Sequence, residues 1–308
     1  MVQNSNKKRK QKSRATKKEM TTAYICLIPA FVGLIFLTYV PLVAVFGLSL
    51  FSWKGVGTPE FIGFGNYVKL FVTDPYFKDA IKATVLFAGL AVVGSVLYSL
   101  LIAILLNQKI PARSFFRAVF YLPYLLPALA VYIGWAWLYE SNFGLFNYIL
   151  SSFGIEKIAF IADGRYVLPS LAIISVWLAG NLVVIFLAGL QNVPRVYHEA
   201  AEIDGANTWQ RFTNITLPCM SPIIFYNLLM SLITNLQVVT PALALTNGGP
   251  GNSSRFLTYL MYFYAFKSRK FGYASAVSFI TFVLIAIFTV ILFVTSKKWM
   301  FEEGGETK

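Results

Sequence analysis

EAAEIDGANTWQRFTNITLP occupies residues 199–218 and closes a polar connection of about 28 residues, 191–218, between two long apolar runs. The connection carries Pro194, which suits the first turn of a helix because its missing N–H would have no partner there. Arg195 to Asp204 has the length of about three helical turns. Ala200 and Ala201 are small enough to let another surface approach. Gly205 can take the left-handed backbone that ends a helix. Residues 206–216 then restart as a second short helix, and Pro218 marks entry into the next apolar run. Two short helices set at an angle make a knob that can sit in a cleft. The plainer alternative is an ordinary solvated loop holding one capped helix.

The runs on either side of this knob set the fold class. Hydrophobic residues make up 57% of the 308, only 13% are charged, and the mean hydropathy is +0.65. The charges are squeezed out of six segments, about 23–50, 84–106, 118–138, 167–190, 219–246 and 271–296. Each holds at least about 20 residues without an Asp, Glu, Lys or Arg, enough to cross a hydrocarbon core of roughly 30 Å. Lipid offers the backbone no hydrogen-bond partners, so each span is expected to be helical. The expected fold is an all-α polytopic membrane bundle of six spans, 21–300, between a basic tail at 1–20 and a short tail at 301–308.

Charge placement orients the bundle. The net charge is +13, yet eight of the basic residues, Lys7 to Lys18, precede the first span. That puts the N-terminus on the cytoplasmic side by the positive-inside rule. Segments 107–117, 191–218 and 297–308 follow it there, and together with the tail they hold most of the 26 basic residues. Arg269 and Lys270 run against the rule. The tail is expected to be disordered and drawn to anionic head groups, without nucleic acid as a partner. The first run is too long for a cleavable signal, with Tyr39 and Pro41 where small residues would be needed. Cys26 and Cys219 read as buried thiols rather than as a disulfide or a metal site. Two segments fall outside, 51–83 and 247–270. Within the second, Phe256–Phe266 is too short to span and reads as an amphipathic helix at the membrane interface. Asn247 to Gly251 is a turn cluster.

The spacing EAA-x3-G-x9-I-x-LP over 199–218 resembles the cytoplasmic coupling loop of permeases in bacterial binding-protein-dependent ABC importers. The likeness extends over about residues 24–298. GFGNYVKLF, FRAVFYLPYLLPA, LTNGGPGNSS and FGYASAVS resemble the sugar-transporting permeases of the maltose/multiple-sugar family, of the MalF or MsmF type, in a minimal six-span form. The resemblance implies a cell-membrane subunit pairing with a second permease and docking on a cytoplasmic ATPase dimer. An extracellular solute-binding protein would deliver the sugar, an oligosaccharide by preference. ATP and Mg would be bound by the ATPase, since this chain has no GxxxxGK[ST]; no cofactor, metal or enzymatic activity is expected of it. Glu199 would lie against the ATPase and Gly205 would form the turn. Ala200, Ala201, Trp209 and Phe212 would supply the apolar fit, and Asp204 is either a local cap or an intraloop partner.

Polar side chains in a span are costly and turn inward. Asn227, Ser231, Thr234 and Asn235 are offset by 4, 7 and 8 residues and share one helix face. The resemblance implies that this face lines the sugar path, with Ser231 and Asn235 on its polar positions. Ser175, Trp177 and Asn181 of the fourth run are the parallel candidates. Trp135 and Trp137 could stack on sugar, although interfacial aromatics are more often anchors. The alternative for the Ser, Thr and Asn set is hydrogen bonding between helices. An ion-coupled carrier would place ionisable groups at mid-membrane, and the six runs contain none; the single histidine, His198, lies in the 191–218 connection. A polyol or glycerol phosphate remains an alternative substrate, the second disfavoured by the absence of basic residues from the spans.

Overall fold

Proline and glycine decide where the apolar runs stay straight and where they break. The structure, a computed structural model, describes residues 19–300; the expectations for the two tails lie outside that range. Three long helices are apolar enough to cross a membrane unaided: α1 (Glu19–Ser49), α3 (Phe77–Asn107) and α13 (Phe271–Ser296). The other three runs are helix pairs, each bent at a short break. They are α4 (Arg113–Leu125) with α5 (Ala128–Leu138), α7 (Val167–Trp177) with α8 (Gly180–Asn192), and α10 (Thr208–Cys219) with α11 (Ser221–Leu236). The bends are 98°, 50° and 63°. Shorter helices fill the connections: α2 (Gly65–Val72), α6 (Leu145–Ser152), α9 (Arg195–Ile203) and α12 (Leu257–Tyr262). A two-residue antiparallel ladder, β1 (Phe51–Ser52) with β2 (Glu60–Phe61), pairs Phe51 with Phe61.

The continuous helices expected over 118–138, 167–190 and 219–246 are therefore corrected. Pro127 disfavours a helical backbone at the residue before it, and Leu126 is extended at ψ 144°. Pro222 cannot donate to the Pro218 carbonyl four residues back; the Ser221 hydroxyl takes that oxygen instead, at 2.7 Å. Helix α11 stops at Leu236, well short of residue 246. Pro241 leaves the Gln237 carbonyl without its helical donor, and the chain resumes as a π turn over Ala242–Thr246. Between α7 and α8 no proline acts. There Gly180 sits so close to α4 that a Cβ would lie 2.5 Å from the Phe120 carbonyl oxygen.

Helix α3 is the axis of the bundle, packed by α7, α8 and α11. Small residues make close packing possible: Ala83, Ala91 and Ala103 of α3 are buried, as expected for helix contacts in lipid. Helix α13 lies along α1 and α12. The most apolar stretch of α1 has no buried residues, so its side chains are left for lipid or another chain. Cys26, on α1, is exposed and Cys219 is half-buried, which corrects the expectation of two buried thiols. Residues 256–266 are also not an interfacial helix. Leu257, Leu260, Tyr264 and Ala265 are buried in one cluster with Leu70 of α2, Phe77 of α3 and Val277 of α13. The short apolar stretch fills a crevice of the protein.

That cluster surrounds one carboxylate. Asp74 accepts from the backbone N–H of Tyr76 and Phe77 at 2.9 Å each, opening α3. Its other oxygen accepts from the hydroxyls of Tyr264 and Tyr273, the latter at 2.7 Å. Burial, and then the Asp74 carboxylate, push the Tyr264 phenol well above the ordinary tyrosine range. Thr84 of α3 accepts from the Leu257 N–H at 2.9 Å. The 247–273 segment is thus riveted to the first turns of α3.

Candidate functional site

Two features stand out, one at a bundle end and one at mid-bundle. The first is the knob of 194–219. Pro194 is the N-cap of α9 and Asp204 its C-cap. Gly205 has φ +80°. The Gly205 N–H reaches the Glu202 carbonyl at 3.1 Å and the Ala206 N–H the Ala201 carbonyl at 2.8 Å, the paired bonds of a glycine-terminated helix. Asn207 then starts α10 with a reciprocal capping box to Gln210, at 2.8 and 2.9 Å. An Arg211–Glu202 ion pair at 2.9 Å ties the second helix to the first.

None of the residues of α9 is buried. Glu199, Ala200 and Asp204 are exposed, and Ala201 is half-buried. Ile203 is 88% and Trp209 70% exposed. Trp209 stands beside the half-buried Phe212 with ring centroids 5.8 Å apart. Large apolar side chains held out from an internally braced, polar knob fit a surface made to be covered. Beneath the knob, His198, Arg211 and Phe212 line a hollow of about 260 Å³ with Asn107 and Gln108 at the end of α3.

The second feature is a cavity of about 490 Å³ where the helix breaks converge. Leu126 comes from the α4–α5 break, Leu178 and Ala179 from the α7–α8 break, and Gln237 to Thr240 from the end of α11. Non-helical backbone at membrane depth is tolerated only where protein buries it or where it lines a wet cavity. The Ala179 carbonyl is met by the Ser99 hydroxyl at 3.1 Å. The rest of the wall mixes apolar side chains, Ala128, Leu182 and Met230, with hydroxyl and amide groups, and no charged side chain lines it.

Five of the seven path candidates meet there: Ser175, Asn181, Ser231, Thr234 and Asn235. Asn235 and Ser231 are only 8% and 5% exposed. The Asn235 amide donates to the Ser231 carbonyl at 2.8 Å and lies 3.3 Å from its hydroxyl. Thr234 donates to the Met230 carbonyl at 2.8 Å. Asn227 lies elsewhere. It is fully buried between α11 and α8, where its amide donates to the Leu182 carbonyl at 3.4 Å, the geometry of helix-to-helix bonding. Trp177 instead packs edge-on to Trp135 at 5.7 Å, and both line a separate apolar hollow. Trp135 is enclosed further by Tyr139 and Phe146.

Sequence reasoning missed Ser95, Tyr124, Tyr132, Gln237 and Thr240 as cavity lining. Tyr124 stands three residues before Pro127, and Gln237 and Thr240 stand just before Pro241, so a search for polar residues beside span-interrupting prolines would have found those three. Ser95 carries no such signal.

A mid-bundle cavity at broken helices, with an exposed knob between two runs, is the construction of a membrane transport subunit. The chain belongs to the family of binding-protein-dependent transport system inner membrane components, whose model matches residues 95–300. It is 35% identical to the probable ABC transporter permease protein YesP of Bacillus subtilis, over 96% of this chain and 97% of that one. It is 33% identical to the multiple sugar-binding transport system permease protein MsmF of Streptococcus mutans, over 89% and 94%. The trehalose/maltose transport system permease protein MalF of Thermococcus litoralis is 28% identical over 91% and 95%. The same fold occurs in a bacterial ABC transporter that imports the acidic polysaccharide alginate. There the TM-score is 0.77 at 24% identity, covering 91% of this chain and 96% of that one.

Proposed function

We propose that this chain is the membrane permease of a sugar ABC importer, forming half of the translocation path and transmitting ATP hydrolysis to it. Each bent pair is one interrupted span, giving six, with the knob and both termini cytoplasmic. The observation that carries the substrate class is the cavity's lining: hydroxyls, amides and two tyrosines set among apolar side chains, without a charge, where the helices break. A neutral polyhydroxylated ligand is matched by such a set. A phosphorylated one would leave its charge unpaired in a low-dielectric site. Relatives named for multiple sugars, trehalose/maltose, starch degradation products and diacetylchitobiose support a sugar, and an oligosaccharide among sugars.

Membership of a binding-protein-dependent transport family supports the following partners. A second permease completes the path, two ATPase subunits bind ATP and Mg, and a solute-binding protein delivers the sugar. Glu199 and Asp204 offer the knob's charge, and Ala200, Ala201, Trp209 and Phe212 its apolar contact, to the ATPase. Gly205 sets the angle between its two helices. Ser231, Thr234, Asn235, Ser175 and Asn181 contact the sugar, whereas Asn227 and Trp177 hold the helices around it.

Uptake of a sugar panel by Asn235→Ala, in cells with matched complex levels, tests the path. Asn235 and Ser231 as sugar contacts predict a changed ratio of uptake between two competing sugars. An unpaired buried hydroxyl costs about 1–3 kcal/mol, so the shift should reach fivefold or more, roughly. An unchanged panel with lowered complex yield would return both residues to helix packing, each bond then worth ~0.6 kcal/mol.

A further inference from the structure

At the bundle end opposite the knob most acids are held by hydrogen bonds or an ion pair, whereas three cations at the start of α3 and in the loop beside it make no ion pair among the described residues. Asp74 is enclosed by two backbone N–H groups and two tyrosine hydroxyls. Asp79 accepts from the Asn252 amide at 3.2 Å. Glu140 accepts from the backbone N–H groups of Phe143 and Asn142, which hold its carboxyl below the usual carboxylate range. Asp163 is paired with Arg165 at 2.7 Å. Glu60 and Glu156 stand apart from these, in the β hairpin and in the loop after α6.

Against this, Lys78 and Lys82 are exposed one turn apart on α3. The Asn252–Asp79 bond brings the loop bearing Arg255 to the same turn of α3. The Arg255 guanidinium lies over the Tyr76 ring at 4.1 Å and beside Phe263 at 5.6 Å. The two ion pairs among the described residues leave it out, and its Nε is buried, so an approaching carboxylate would meet the terminal nitrogens. A guanidinium held between two rings keeps its charge and its fork geometry and has little freedom left to lose, so it is prepared to receive a carboxylate. The cluster also adjoins the path. The Ser254 hydroxyl donates to the Gly249 carbonyl and pairs with the Thr246 hydroxyl, at 2.6 Å each, which fixes the Arg255 loop to the turn that follows the cavity wall at Gln237–Thr240.

We propose that Arg255, Lys78 and Lys82 form a cationic docking face for carboxylates on the surface of the solute-binding protein, placing its sugar over the cavity. This rests on the importer assignment above. Opposite charge across an interface acts mainly on encounter and orientation and is screened by salt. A protein is favoured over a lipid surface because the central arginine is half-buried and immobilised beside the path, where a head group would block delivery.

The test uses the complete importer in phosphatidylcholine nanodiscs, titrated with its sugar-loaded binding protein, with ATP hydrolysis as readout. Lys78→Gln with Lys82→Gln should raise the half-saturating concentration of binding protein roughly three- to tenfold at low salt, and less at high salt. Arg255→Gln should do the same, and Arg255→Lys should recover part of the loss. The lysine pair is exposed, so its effect does not depend on Arg255 variants folding. Unchanged half-saturation in all three variants overturns the docking face. So does an effect that appears only when phosphatidylglycerol replaces phosphatidylcholine, which would make the cluster a lipid contact. Absence of any stimulation in the wild type overturns the importer assignment itself, and is thereby distinguishable from failure of the face alone.

Discussion

Asp74 shows what a single side chain can hold together in this chain. It starts α3 and receives Tyr264 and Tyr273, so it fastens three elements to one oxygen pair. Asp74→Asn keeps the shape but removes the charge that strengthens each bond, and hydrogen bonds to charged groups contribute about 1.5–3 kcal/mol. The expected result is a purified complex whose thermal midpoint falls by several degrees, while insertion into membranes is retained. Tyr264 adds a pH dependence of known sign. Its folded pKa is raised above the ordinary value near 10. The neutral phenol is therefore favoured by folding, its contribution is complete below about pH 10, and it declines as pH rises further. Tyr264→Phe should flatten the alkaline limb of the stability profile relative to wild type, measured by thermal shift from pH 8 to 11. A limb unchanged by the substitution would assign the alkaline loss to other groups.

Elements here are governed by where they stop. The identity of the apolar runs, the knob at 191–218, its Gly205 turn and five of the residues that line the cavity could be read from residue type and spacing. The breaks could not be placed by hydropathy, because a run such as 118–138 is equally apolar on both sides of Leu126. Pro127 was the available signal for that break, but Gly180 was legible only once its approach to Phe120 was known. Asn227 fell on the correct helix face yet lies too far along α11 to reach the cavity, since periodicity fixes direction and not depth. The 256–266 stretch was misplaced because amphipathicity cannot distinguish a lipid surface from a protein crevice. Two substitutions probe how elements meet. At Gly205 a Cβ would meet open space, so the cost is the left-handed backbone alone. Asn, which tolerates that region, should keep coupling, whereas Pro cannot adopt it and removes the N–H bonded to Glu202. Gly205→Pro should reduce sugar uptake at least tenfold, roughly, at unchanged membrane abundance. Gly272 differs, because a Cβ there would overlap the Phe51 carbonyl oxygen. Gly272→Ala must push α13 away from the end of α1, and a loss of folded complex of about 1–3 kcal/mol is expected, visible as lowered detergent-resistant yield.

At the scale of the whole molecule, one axis relates the knob, the cavity and the cationic face. Helix α3 runs from the Asp74 node to Asn107 beneath the knob, with Ser95 on the cavity wall between them. In the proposed importer, a push on α9 and α10 would reach the cavity through α3 and α8, whose residues line both hollows, and through the α10–α11 break. This requires the knob and the 51–83 segment to lie on opposite faces of the membrane, which single-cysteine labelling can decide. Val56 is 88% exposed between β1 and β2, and Asn207 is an exposed cap of the knob. Ser254, in the 247–270 segment, is fully buried and unsuitable as a reporter. With Cys26 and Cys219 replaced, a membrane-impermeant maleimide should label Val56→Cys in intact cells and Asn207→Cys only after the membrane is opened. Both sites labelled from outside would mean that a bent pair re-enters on one face instead of crossing. In that case the knob could not meet a cytoplasmic ATPase, and the transmission route along α3 would have to be abandoned.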